Sequence, residues 1–138
     1  MTTKFINTQY QHSDITSKII NCSMEVHSFL GSGFQEVIYQ RALQYEFYLQ
    51  DIFSRREVKM DIHYKDKFIG RRRVDFYVEE KVMVEIKAVS ELEPIHLAQA
   101  INYLEIYNLE VGMLINFGAK SLQYRRLINR NITQDRLF

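Results

Sequence analysis

The clearest pattern in the chain is a strict alternation of apolar and polar residues in RRRVDFYVEEKVMVEIKAV, residues 71–89. A period of two is typical of β-strands, and the charged tripeptide EEK interrupts it as a turn would. A three-residue turn places Val78 opposite Val82. Asp75 then lies opposite Glu85, whereas a two-residue turn sends Asp75 to the other face. Glu-Glu and Glu-Lys lack the Asn or Gly that favours two-residue turns, so we predict the first register.

The same alternation assigns side chains to the two faces of this hairpin. On the second strand, Met83, Glu85 and Lys87 share one face. On the first strand, one face is predicted to carry Arg71, Arg73, Asp75 and Tyr77, and the other Val74, Phe76 and Val78. Two carboxylates thereby meet across the strand pair, where like charges repel unless a cation lies between them.

Helical spacing and capping residues predict the remaining elements. Asp14 is a suitable N-cap for a first helix that Gly31 ends, and Pro94 fits the first turn of a later helix. The other predicted segments are a helix over 35–50, strands over 56–64, 68–78 and 82–89, a helix within ELEPIHLAQAINYLEIYN, and strands over 111–117 and 122–128. The order ααβββαββ predicts a sheet that carries helices, in the α/β (α+β) range.

Composition narrows the class of protein. The 138 residues, 46% of them hydrophobic, suit one globular domain over residues 1–138, with 1–13 as a poorly ordered or loosely packed segment. The net charge is +1, so attraction to nucleic acid must come from local patches. One cysteine, Cys22, excludes an internal disulfide and a multi-cysteine zinc site. No stretch has the apolar length of a signal peptide or membrane span, so we expect a cytoplasmic protein without a membrane partner.

The acids and the lysine of the hairpin suit a magnesium site. Mg²⁺ is a hard cation that prefers oxygen ligands, which Asp75, Glu85 and the backbone carbonyl of Ile86 would supply. Lys87, on the same face, would hold or deprotonate a water that attacks a phosphodiester. An E-x-K sequence on a strand is more often simply a solvated charged face, so that reading stays open.

Two helical segments add further candidates. Gln99 and Tyr103 lie one turn apart on one helix face, with His96 on the preceding turn. Upstream, Glu36 and Tyr39 share a face in GFQEVIY. Each pair also has an ordinary structural interpretation, as a capping glutamate, a half-buried tyrosine or a surface glutamine.

The segment GFQEVIY resembles the signature of the GxxExxY proteins, and the resemblance extends over roughly residues 14–128. That family is placed in the PD-(D/E)xK nuclease superfamily. The resemblance implies a restriction-endonuclease-like αβββαβ core, with a central mixed sheet flanked by helices. It also implies a magnesium site, at which Mn²⁺ is a possible substitute, surrounded by an acid motif, an E-x-K motif and a Q-x-x-x-Y motif.

Carried over residue by residue, the resemblance assigns the metal-binding aspartate to Asp75 and the E-x-K pair to Glu85 and Lys87. Gln99 and Tyr103 correspond to the helical motif, and Glu36 to a first-helix carboxylate that supplements the metal site. The chain departs from the pattern in two places. Val74 stands where the superfamily name suggests proline, and Gly31-Ser32-Gly33 replaces the Gly-Pro-Gly of many members.

Basic residues are the candidates for contacts with nucleic acid. Arg71 and Arg73 have the stronger case, since alternation puts them on the face of Asp75, and His96 is a further candidate. The remaining basic candidates are Arg125, Arg126 and Arg130. A solvated strand with balanced charges is the alternative interpretation.

Two hypotheses follow. The first is a Mg²⁺-dependent nuclease that acts on DNA, and the second is a non-catalytic nucleic-acid-binding or partner-binding module that retains the nuclease fold. A homodimer or a larger protein partner is expected to supply specificity, since a chain of this length has little room for a separate specificity domain.

Overall fold

The fold was obtained as a computed structural model, and the structure describes residues 12–130. The elements in chain order are α1 (Ser13–Leu30), α2 (Glu36–Leu49), β1 (Ser54–Tyr64), β2 (Lys67–Val78), β3 (Val82–Lys87), α3 (Pro94–Ile106), β4 (Val111–Asn116) and β5 (Gln123–Ile128). The predicted order is therefore confirmed. Of the N-terminal segment expected to be loosely packed, residues 1–11 lie outside the described residues. α1 begins at Ser13, so Asp14 lies in its first turn and is not the N-cap.

The five strands form one sheet in the order β1-β2-β3-β4-β5. All neighbours are antiparallel except β3 and β4, which are parallel and are connected through α3. The sheet is therefore mixed, as the resemblance implies. One buried cluster joins α1 and α2 to one face of the sheet, and a smaller cluster joins α3 to the other face. This is an α+β arrangement in which both faces of the central strands are covered.

β3 follows the predicted alternation. Val82, Val84 and Ile86 pack in the cluster that contains α1 and α2, whereas Met83 packs in the cluster that contains α3. All six residues except Lys87 are buried. The face that carries Glu85 and Lys87 is therefore the α3 side of the sheet, and Glu85 is a charged residue on a fully covered strand.

β2 departs from its predicted alternation between Val74 and Phe76. Val74 packs on the α3 side and Phe76 on the side of α1 and α2, although strict alternation would put both on one face. The change occurs opposite Glu57 of β1, which has a left-handed φ of 54°. A left-handed residue breaks the pleat and re-aims the side chains around it. The prediction that Val74, Phe76 and Val78 share a face is therefore wrong for Val74.

The turn between β2 and β3 has the predicted register, because Val78 pairs with Val82. Its backbone has an unusual geometry. Glu79 and Glu80 have φ angles of 54° and 56°, and the amide of Lys81 donates to the carbonyl of Val78 at 3.0 Å. The chain thus makes a tight turn of the kind that Asn and Gly favour, with glutamates in left-handed conformations, followed by one extra residue.

Replacing Glu80 with glycine is expected to stabilise the protein by about 0.5–1 kcal/mol, since glycine adopts a positive φ without the steric cost of a Cβ. The change also removes the exposed ion pair of Glu80 with Arg55, at 2.8 Å, which contributes little. Glu80→Ala loses the same ion pair but keeps the strain. Thermal unfolding should therefore rank glycine above wild type and alanine below it; equal melting temperatures for the two variants would show that the turn is unstrained.

Candidate active site

The centre of the site is a pair of carboxylates on adjacent strands. Regular pairing of β2 with β3 extends to Phe76 and Val84, and side chains link the strands beyond that point. The Glu85 carboxylate accepts a hydrogen bond from the amide of Asp75 at 3.2 Å. The Asp75 carboxylate accepts one from the amide of Ile86 at 2.8 Å. The structure thus brings together the two acids that the hairpin register predicts to be opposite.

Burial makes this pair electrostatically costly. Glu85 is only 4% exposed, and its burial, together with the neighbouring charge of Asp75, raises its pKa to about 7. Burial also raises the pKa of Asp75, although the hydrogen bonds from Ile86 and from Gln40 oppose that rise. At neutral pH the pair therefore holds less than its full negative charge, and a cation between the carboxylates would restore it.

Two cations, Lys87 and Arg72, act on these acids. Lys87 is half-buried at the end of β3. The charges of Lys87 and Arg72 lower the pKa values of Glu36, Asp75 and Glu85 against the dominant effect of burial. The Arg72 guanidinium lies over the Tyr103 ring, 5.0 Å from its centroid.

The arginine whose charge acts on all three acids is therefore Arg72, whereas the alternation assigned Arg71 and Arg73 to the face of Asp75. The face change in β2 is the reason, because it puts Arg72 on the same side as Val74 and α3. Arg71 pairs with Asp61 at 2.7 Å, and Arg73 pairs with Glu57 at 3.3 Å. Both acids lie on β1, and both arginines are exposed.

Helix α2 brings two side chains to the site from its first two turns. Glu36 is the first residue of the helix and is more exposed than the other acids; partial burial raises its pKa, and the charge of Lys87 opposes the rise. Gln40 is buried and donates to the Asp75 carboxylate at 2.8 Å. Tyr39, in contrast, points into the core, where its hydroxyl accepts from the amide of Phe34 and donates to the carbonyl of Gly31. It holds the connection that sets the start of α2.

Helix α3 covers the site from the other face of the sheet. His96 closes a capping box by accepting a hydrogen bond from the amide of Glu93 at 3.0 Å. Tyr103 is half-buried beneath Arg72. Gln99 is exposed. Its spacing puts Gln99 on the helix face of His96 and Tyr103, and its role at the metal site stays a prediction.

The end of β3 is held by a buried network that the sequence reasoning missed. The side chain of Asn116 accepts from the amides of Val89 and Gly118 at 2.9 and 3.0 Å, and donates to the carbonyl of Val89 at 2.8 Å. The carbonyl of Lys87 accepts from the amide of Phe117 at 2.9 Å. An asparagine at the end of a buried strand is the one sequence signal for this role, and it fixes the backbone that carries Lys87.

The residues present fit a hard divalent cation. Within residues 12–130, no three His, Cys, Asp or Glu side chains form a closed metal-binding group. Two adjacent carboxylates remain, and Mg²⁺ is commonly held by one or two carboxylates plus water and phosphate. The Gln40 side chain contacts Asp75 through its Nε2 atom. Its other polar atom, Oε1, is buried and has no hydrogen-bond partner among the described residues. An unpartnered acceptor and two mutually repelling acids both favour a bound cation with its waters.

A mixed sheet with helices on both faces and an acid pair beside a lysine defines a restriction-endonuclease-like protein. The chain belongs to the PD-(D/E)XK nuclease superfamily, whose model matches residues 13–127. The solved structure of SSO0001 is similar to it, with a TM-score of 0.54 and 18% sequence identity over 68% of this chain. The aligned region spans 50% of the SSO0001 chain, and at this identity the likeness concerns the fold.

The comparison with curated proteins gave no match. In the part of the chain that the structure describes, no helix has both the length and the apolar character needed to cross a lipid bilayer.

Proposed function

We propose that the protein is a metal-dependent nuclease that hydrolyses phosphodiester bonds of DNA, and that it is a GxxExxY member of its superfamily. The observation that carries the proposal is the buried pair of Asp75 and Glu85, linked through backbone amides and accompanied by Lys87. Two buried, ionised carboxylates repel each other and destabilise a protein, and a bound cation relieves that repulsion. Membership of the superfamily supports the same chemistry.

Asp75 and Glu85 would hold the cation, Mg²⁺ or Mn²⁺, and Glu36 would supplement them from α2. The carbonyl of Ile86 is a further proposed ligand, because the amide and carbonyl of one strand residue point to the same neighbour and the Ile86 amide already reaches Asp75. When bound, the cation supplies stabilisation of the negative charge that develops on the phosphate.

Lys87 is proposed to hold the attacking water or to help deprotonate it. Its charge acts on all three acids, whose pKa values it lowers, which supports its place in the site. The hydrogen bond from Gln40 fixes the rotamer of Asp75. Gln99 and Tyr103 are proposed to assist from α3, Gln99 from its exposed position and Tyr103 beneath Arg72. Arg71, Arg73 and His96 remain proposed contacts to the nucleic-acid backbone, and a homodimer or larger partner remains part of the proposal.

The test is cleavage of labelled single-stranded DNA, double-stranded DNA and RNA in Mg²⁺, Mn²⁺ or EDTA. Cleavage of DNA that EDTA abolishes is expected. The same metals should raise the melting temperature of wild type, because a ligand at 100 times its Kd stabilises the folded state by about 2.7 kcal/mol. Asp75→Asn should lose both effects. Oligonucleotide binding without cleavage or a metal-induced shift would instead support the non-catalytic module.

A further inference from the structure

Three consecutive arginines on β2 have different surroundings. Arg71 and Arg73 are each neutralised by an ion pair with an acid of β1. None of the ion pairs within residues 12–130 involves Arg72, which lies between them in sequence. Its guanidinium therefore remains available to an anion, although its charge already acts on the three carboxylates of the site.

An aromatic platform holds the Arg72 guanidinium. Tyr103 lies beneath it, and Tyr103 in turn stacks on Tyr107 with 6.4 Å between ring centroids and 27° between ring planes. The hydroxyl of Tyr107 donates to the carbonyl of Met60, the residue that pairs with Arg72 across β1 and β2. Tyr103 and Tyr107, the aromatic platform, thus connect the C-terminal end of α3 to β1 and β2 and support the Arg72 guanidinium.

This arrangement suits the recognition of a phosphate. A guanidinium presents a planar fork that matches phosphate oxygens, and it stacks on an aromatic face without losing its donors. Stacking before binding reduces the rotamer freedom that the side chain would otherwise lose on contact. A lysine such as Lys87 carries the same charge but lacks this fixed fork.

We propose that Arg72 is a phosphate-binding residue of the site, with Tyr103 as its positioning residue. The identity of the anion, a phosphodiester of a nucleic acid, rests on the proposed function. Arg72 then contacts a substrate phosphate near the acid pair, on which its charge already acts.

The test measures binding of a labelled DNA oligonucleotide by fluorescence anisotropy in the Lys87→Ala background, with Mg²⁺, where the substrate stays intact. Arg72→Ala should weaken binding roughly tenfold or more, as expected for a charge-assisted contact. It should also reduce the slope of log K against log salt by about one. Arg55→Ala is the matched control, because it removes the same charge from an exposed arginine that is ion-paired with Glu80 and also lies over a tyrosine ring, that of Tyr77; an equal loss for Arg55→Ala and Arg72→Ala would overturn the special role of Arg72.

Two substitutions of Tyr103 test its role in positioning Arg72. Tyr103→Phe keeps the aromatic face and should bind as the parent does, whereas Tyr103→Leu should lose part of the affinity that Arg72→Ala loses. In the Arg72→Ala background, Tyr103→Leu should then have no further effect, because the two residues act as one unit. An additive loss would overturn the positioning role.

Failure of this inference is distinguishable from failure of the proposed function. If the wild-type protein cleaves no substrate but Arg72→Ala weakens binding selectively, the nuclease proposal fails and the role of Arg72 stands. If cleavage is metal-dependent but Arg72→Ala binds and cleaves as wild type does, the nuclease proposal stands and this inference fails. An absence of binding to every oligonucleotide would also overturn it.

Discussion

Replacing Lys87 with alanine is expected to reduce metal-dependent cleavage by at least ~100-fold, the usual range for loss of a positioned proton-transfer group. Metal binding should be largely retained, because a lysine is not a ligand. The fold should also survive, since the backbone of Lys87 is held through Phe117 and the Asn116 network rather than by its side chain. Single-turnover cleavage rates and calorimetric titration of Mg²⁺ measure the two effects separately.

Two other substitutions serve as comparisons for Lys87→Ala. Asp75→Asn should abolish both cleavage and metal binding, because it removes a proposed ligand. Lys81→Ala removes the same charge as Lys87→Ala from the exposed hairpin turn and should leave both unchanged. Full activity in Lys87→Ala would mean that the cleavage comes from a contaminant or proceeds without this lysine.

Glu85→Gln is expected to stabilise the metal-free protein at alkaline pH. The folded-state pKa of Glu85, about 7, lies above its ordinary value of 4.5, so the folded state binds a proton more tightly than the unfolded state. Stability associated with Glu85 is therefore greatest below pH 4.5 and is lost as the pH rises to about 7. The deficit above that window is on the order of 3 kcal/mol.

Urea unfolding in EDTA at pH 5 and pH 8 measures this effect. Glutamine still accepts a hydrogen bond from the Asp75 amide, so Glu85→Gln should gain stability over wild type at pH 8 and much less at pH 5. Glu91→Gln, on an exposed loop, is the matched control and should change stability little at either pH. A gain of the same size at both pH values would show that the pKa of Glu85 is not raised. Replacing EDTA with Mg²⁺ should narrow the difference at pH 8, because a cation between the two carboxylates offsets the repulsion that destabilises the wild-type protein.

Local patterns predicted the hairpin at the centre of the site. The register of β2 and β3 followed from the alternation and a turn of three residues, and it brought Asp75 to Glu85. The absence of Asn or Gly was a poorer guide, because Glu79 and Glu80 adopt the left-handed conformations that those residues favour. The burial of Glu85 was not predictable from the sequence. Alternation assigns side chains to the two faces of a strand but does not show which elements pack on each face. α3 covers the second face, so an acid predicted on a polar face is 4% exposed.

The missed residues depend on contacts between segments distant in sequence. Arg72 reaches the site because Glu57, on the neighbouring strand, has a left-handed backbone that changes the face of β2. The contact of Gln40 with Asp75 could not be predicted, because the hydrophobic periodicity of α2 does not specify the angle at which the helix packs on β2. Each of these roles is set by tertiary geometry, whereas periodicity in one segment reports only which side of that segment a residue occupies.

The three-residue turn between β2 and β3 also sets the order in which the site assembles. Hairpins form in ~1–10 μs, so Asp75 and Glu85 meet early, while both are still hydrated. Parallel pairing of β3 with β4 must close the chain across α3, which is slower, and that step buries Glu85 beside Leu114. The repulsion between the acids therefore develops late in folding, and relieving it acts mainly on the unfolding rate. A cation held by the two acids would therefore slow unfolding and increase the kinetic stability of the native state.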